Sequence, residues 1–102
     1  MTEGAPTAHD QASVDVLVIG RVQGVGFRYF AQRAGCSLGL DGFVMNLRGG
    51  SVRACAEGPR QRLEEFVQMM EQGPDGSHVQ RVHTVWGSPT GQYAGFSIEA
   101  SR

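Results

Sequence analysis

Over residues 14–19 the chain runs almost unbroken through β-branched and aliphatic side chains, with only Asp15 interrupting, which predicts a central strand covered on most of both faces. The run stops at Gly20. A glycine-punctuated stretch over 21–26 leads into Phe27, Phe30, Ala31, Ala34 and Leu38, whose spacing predicts a helix over 27–38 closed by Gly39. Gly35 in its last turn costs about 1 kcal/mol against alanine and predicts fraying there. Next, Phe43, Met45 and Leu47 alternate with Val44 and Asn46, Gly49-Gly50 supplies a tight hairpin, and 51–56 returns as a third strand. Gly58-Pro59 predicts a second helix with proline at its first position. Its buried stripe is Leu63, Phe66, Val67 and Met70, and Gly73-Pro74 ends it. Residues 79–86 predict a fourth strand, with Val82, Thr84 and Trp86 on one side and Arg81, His83 and Val85 on the other, and 96–98 a short fifth.

The order βαββαβ over 102 residues predicts an α+β domain in which two β-α-β halves interleave in one antiparallel sheet, both helices on one face. Strands one and two then run the same way with strand three between them, and their carboxyl ends lie at one edge, about 10 Å apart. The polar stretch over 1–12 has no hydrophobic period and is expected as a flexible tail, with the domain over 13–102.

That edge concentrates the candidate chemistry. Glycines let backbone N–H groups crowd toward one point, a helix N-terminus adds unpaired donors and about half a positive charge, and Arg28 adds a guanidinium in the opening turn. The combination fits a phosphate-like oxyanion. It also fits a plain connecting turn followed by a solvated arginine, since the stretch lacks the Lys-Ser/Thr of a Walker-type loop and the spacing of a dinucleotide loop. Asn46, near the end of the second strand, is brought to the same edge by the topology.

Two segments, far apart in sequence, resemble the two signatures of the acylphosphatase family. The first is Ile19-Gly20-Arg21-Val22-Gln23-Gly24-Val25-Gly26-Phe27-Arg28, and the second is Gly42-Phe43-Val44-Met45-Asn46 followed by Gly50, Val52 and Gly58. The resemblance extends over about 14–98. It implies a ferredoxin-like sandwich and a small hydrolase that splits the carboxyl–phosphate bond of acyl phosphates, releasing carboxylate and inorganic phosphate without cofactor or metal. By the same resemblance Arg28 matches the phosphate-binding arginine and Asn46 the water-orienting asparagine. Arg21, Val22, Gln23, Gly24, Val25 and Gly26 match the backbone cradle. Met45 stands where many members have a basic residue, removing a surface charge near the site, and Leu47 stands where some have threonine.

Composition narrows the alternatives. A hydrophobic share of 40%, a charged share of 19% and a net charge of -1 suit an ordinary soluble domain and call for neither nucleic acid nor membrane. All nine basic residues are arginine, which a coding bias explains without function except at Arg28. Cys36 and Cys55 lack any zinc or disulfide spacing and are expected as buried free thiols. His9, His78 and His83 are expected at the surface or partly packed, Glu57, Glu64 and Glu65 as solvated or helix-start charges, and Trp86, Met69 and Met70 as packing residues. The chain is expected to be cytoplasmic and monomeric, with a small-molecule acyl phosphate as its partner. The rival readings are a non-catalytic anion- or RNA-binding module on the same fold, and a domain of a larger maturation enzyme. The third strand carries none of the stacking aromatics an RNA-binding sheet displays, and a free-standing enzyme is the expectation.

Overall fold

Val14, Val16 and Val18 are each at most 2% exposed, while the intervening Asp15 and Leu17 are half-buried, so the first strand has one dry face and one partly open face. The structure, a computed structural model, describes residues 10–101. Its elements are β1 (Gln11–Arg21), α1 (Phe27–Ser37), β2 (Asp41–Asn46), β3 (Val52–Pro59), α2 (Arg60–Gln72), β4 (His78–Gly87) and β5 (Phe96–Ile98). They form one sheet in the order β4-β1-β3-β2-β5. β3 is antiparallel to both β1 and β2, which therefore run the same way, as expected. β5 joins β2 in parallel, so the sheet is mixed rather than wholly antiparallel.

The dry face is covered by both helices. One core cluster joins the β1 valines, Val44, Val52 and Ala54 to Phe27, Ala31 and Ala34 of α1 and to Leu63, Phe66 and Met70 of α2. Each large apolar side chain buried there contributes roughly 1.5–3 kcal/mol. On the helix-free face Arg53 grips Asp15 with both arms of its guanidinium, Nε to Oδ1 at 3.0 Å and Nη2 to Oδ2 at 2.6 Å. The same guanidinium lies 5.8 Å from the Phe43 ring, which meets Tyr93 edge-on at 5.6 Å. Asp15 is thus an ion-pair partner and not a mere interruption of the strand.

Several boundaries move for identifiable reasons. Gln11 and Ala12 pair with Pro59 and Gly58, and Ala12 is buried, so both belong to the sheet; residues 1–9 of the expected tail lie outside the described residues. The same pairing keeps Pro59 extended at φ -60 and ψ 133, and α2 starts one residue later than expected, at Arg60. On β4 the register shifts opposite Ile19/Gly20, skipping Gln80, which lets Val79 join Val82 and Trp86 against the core. Thr84 is exposed, and so is Val85. The Trp86 ring is also covered from outside by the Arg60 guanidinium at 4.2 Å. His78 and His83 are exposed on this edge strand, and His9 lies outside the described residues. Cys36 is exposed rather than buried, and Cys55 is half-buried with its thiol pushed up to about 11, first by burial and then by Asp15. Met45, which stands where many family members have a basic residue, is buried at 5% exposure.

Two further residues have roles that local pattern conceals. Gly35 packs its bare Cα against Phe96: a Cβ there would lie 2.4 Å from the ring. Phe96 in turn meets Phe66 at 5.5 Å. Glu57 is only 8% exposed and holds the connection from β4 to β5, which has to cross β1, β3 and β2. Its Oε1 accepts from the Thr90 and Gly91 amides, both at 3.0 Å, and its Oε2 from the Thr90 hydroxyl at 2.8 Å. Asp41 holds the far end of that connection by accepting from the Gly95 amide at 2.8 Å.

Gly35→Ala gains about 1 kcal/mol of helix propensity but overpacks the Phe96 contact by roughly 1–3 kcal/mol, so urea unfolding is expected to register a net loss. A second expectation concerns acid. Burial alone would raise the Glu57 pKa, but the hydrogen bonds from Gly91 and Thr90 outweigh it and lower the value below its ordinary 4.5. The latch therefore contributes fully above that ordinary value and is lost as pH falls through the lower folded value. Glu57→Gln is expected to destabilise by about 1–3 kcal/mol at neutral pH, with the gap to wild type closing in acid.

Candidate active site

The geometry starts from register. Val52 of β3 pairs with Val18 of β1 on one side and with Asn46 of β2 on the other, so Val18 and Asn46 sit level, two strand spacings or about 10 Å apart. β2 ends at Asn46, whereas β1 continues to Arg21 before the loop to α1 begins. That loop turns through two left-handed glycines, Gly24 at φ 76 and Gly26 at φ 78, a region that β-carbons disfavour. No atom lies within 4 Å of where a Cβ would sit on either. Gly26 also occupies the N-cap position of α1, and no side chain caps the helix or places an acidic group in its first turn. The amides of that turn and the positive end of the helix dipole are left open.

Phe27, 2% exposed, anchors the first turn of α1 in the core and packs edge-on against Phe30 at 5.8 Å. The next residue, Arg28, is half-buried. A cavity of about 80 Å³ opens here, lined by both Arg28 and Asn46. Val22, Gly24 and Gly26 complete its wall with Phe27 and Tyr29. The side chains of Arg28 and Asn46 form no hydrogen bond or ion pair with another described residue. Two groups distant in sequence thus face one small space with their donors and acceptors free.

The remaining loop residues do other work. Arg21 is the exposed last residue of β1, paired with His78, and Val25 packs against the core. Neither lines the cavity. The Gln23 side chain turns away to the β2–β3 hairpin, where Nε2 donates to Leu47 O at 2.8 Å and to Ser51 O at 2.9 Å. This link was not expected from the sequence, and neither was Tyr29. The signal for Tyr29 was present, because it is an aromatic off the apolar stripe of α1, 65% exposed and immediately after Arg28.

Two larger depressions contain neither Arg28 nor Asn46. One, of about 760 Å³, lies between the start of β1 and Arg60, and the other, of about 260 Å³, lies on the helix-free face beside Asp15 and Arg53. Of these three, the smallest cavity combines loop amides, a helix start and a guanidinium unpaired among the described residues, a combination that favours an oxyanion. Among the described residues there is no group of three or more His, Cys, Asp or Glu that could hold a metal ion, and no helix long and apolar enough to cross a membrane.

Comparison with known proteins agrees with this geometry. The profile of the acylphosphatase family matches residues 14–98. An acylphosphatase of Thermus thermophilus is 48% identical over 75 residues, covering 74% of this chain and 85% of the relative. One of Syntrophotalea carbinolica is 53% identical over 66 residues, covering 65% of this chain and 72% of the relative. The crystal structure of acylphosphatase from Bacillus subtilis superposes with a TM-score of 0.83 at 36% identity, covering 86% of this chain and 98% of that one. With both halves of the family's sequence pattern meeting at one cavity on the family's fold, the chain belongs to the acylphosphatase family.

Proposed function

We propose that the chain hydrolyses acyl phosphates with the phosphoryl group in the cavity between Arg28 and Asn46 and with its acyl group outside. The observation that carries this reading is the convergence of two unpaired polar side chains and a glycine loop on a space sized for one tetrahedral oxyanion. Phosphoryl transfer demands positioning and stabilisation of charge on three equatorial oxygens more than it demands covalent chemistry. The open amides around Gly24, Gly26 and the first turn of α1 supply neutral donors, and the Arg28 fork supplies a charge-assisted pair.

Asn46 offers both an acceptor and donors while staying neutral, so it holds a water in line with the scissile bond without acting as a strong base. The water oxygen bonds to phosphorus as the phosphorus–oxygen bond to the carboxylate breaks. The carboxylate leaves with that electron pair and needs no general acid. The proton from the water passes to a phosphoryl oxygen, so substrate supplies the base. Val22, Gly24 and Gly26 form the cradle wall, while Gln23 holds the cradle against the hairpin. In this mechanism the small-molecule substrate is the sole partner, and neither metal nor cofactor takes part.

The test is hydrolysis of acetyl phosphate by the purified chain, with Arg28→Ala and Asn46→Ala alongside and circular dichroism to establish that each is folded. Arg28→Ala is expected to lower kcat/KM by on the order of 10- to 150-fold, the equivalent of a lost charge-assisted hydrogen bond of about 1.5–3 kcal/mol. Asn46→Ala is expected to lower kcat by on the order of 10²-fold with a smaller change in KM. Added chelator is expected to leave wild-type activity unchanged. Full activity in the Arg28 variant, or loss of wild-type activity in chelator, contradicts the mechanism.

A further inference from the structure

At about 80 Å³ the cavity is on the scale of one small oxyanion and a few waters, not of a whole substrate. Sites that enclose an entire small molecule run to about 300–1,000 Å³. An acyl phosphate with its phosphoryl group inside must therefore rest its acyl group on the rim, and what the rim offers sets which acyl groups gain from binding.

The rim offers one exposed apolar surface. Val22 and Phe27 are only 1% and 2% exposed, Gly24 and Gly26 have no side chains, and Arg28 and Asn46 are polar. Tyr29, 65% exposed, is the exception. Among the described residues only Val85 is a comparably exposed large hydrophobic, and it lies on β4, away from this cavity. The Tyr29 ring packs on no other aromatic ring, and its hydroxyl makes no hydrogen bond with a described residue. Neither the core of α1 nor any hydrogen-bonded network uses it. Tyr29 is itself one of the residues lining the cavity, together with Arg28, so an exposed aromatic residue borders the anion-binding space.

We propose that Tyr29 is a specificity-determining residue that receives the acyl group, so that the site favours acyl phosphates with a flat apolar acyl group over those with a small one. The inference rests on the acylphosphatase reading above. An aromatic pair in an offset or edge-on arrangement is expected to favour the aromatic substrate by on the order of three- to tenfold. The benefit belongs to binding and not to the chemical step, because the ring does not touch the reacting phosphorus.

The test measures kcat and KM for benzoyl phosphate and acetyl phosphate with wild type, Tyr29→Ala and Tyr29→Phe. The ratio of kcat/KM for benzoyl to acetyl phosphate is expected to fall about three- to tenfold in Tyr29→Ala. The fall should come mainly through KM for the benzoyl compound, with Tyr29→Phe keeping the wild-type ratio. A disturbance of the helix start would lower both substrates together and leave the ratio unmoved, and that result overturns the inference while hydrolysis by wild type still stands. Loss of the preference in Tyr29→Phe overturns it too, by assigning the effect to the hydroxyl. If wild type hydrolyses neither compound, the acylphosphatase reading falls, and the inference falls with it.

Discussion

One amide nitrogen joins the two halves of this site. The Nε2 of Gln23 gives one hydrogen to Leu47 O at 2.8 Å and the other to Ser51 O at 2.9 Å, bridging the two carbonyls at the base of the β2–β3 hairpin. Leu47 and Ser51 are themselves joined by a backbone hydrogen bond of 2.9 Å, so the anchor point is already rigid. The loop that carries the glycines and leads to Arg28 is thereby tied to the strand that carries Asn46. The tie adds to the placement already given by the shared strand β3 and by the packing of α1 on Val44 of β2. Placement matters because misalignment of about 1 Å at a reacting centre can cost on the order of 10²-fold in rate.

The strands and helices were legible because each writes its own period into consecutive residues. The valines of β1, the stripe of α2 and the Gly49-Gly50 hairpin all speak locally, and strand order followed from known connection rules. The approach of Arg28 and Asn46 to one cavity was legible for the same reason, since each sits at the junction of two recognisable elements and the topology brings those junctions together. What escaped was long-range. The partners of Gln23 lie 24 and 28 residues away and those of Glu57 33 and 34, and nothing near either residue announces them. Pro59 obeyed its sheet partner Gln11 in place of its helix preference, and Gly35 obeyed Phe96 over helix propensity. In each case tertiary packing overrode a weak local preference.

The fold separates polar groups that anchor the chain from polar groups left unpaired among the described residues. Carboxylates secure the β4–β5 connection: Glu57 holds Thr90 and Gly91, and Asp41 holds Gly95, while Arg53 and Asp15 satisfy each other on the helix-free face. Arg28 and Asn46 have been left out of all such pairings. Groups that already satisfy one another have little to offer a ligand, whereas an unpaired guanidinium beside open helix amides gains most when an anion arrives. Tyr29 extends the same division of labour to apolar surface, since it is exposed at the cavity rim while Phe27 and Phe30 on the same helix pack together.

The central claim is that the loop amides, Arg28 and Asn46 converge on one oxyanion, and titration of the ¹⁵N-labelled chain with inorganic phosphate tests it most directly. The account predicts that the backbone amides of Val22, Gly24, Gly26 and Arg28 and the side-chain amide of Asn46 shift together, with one shared dissociation constant. Shifts that centre instead on Arg60 and the larger depression beside it, or an Asn46 signal that stays still while the loop responds, would contradict it.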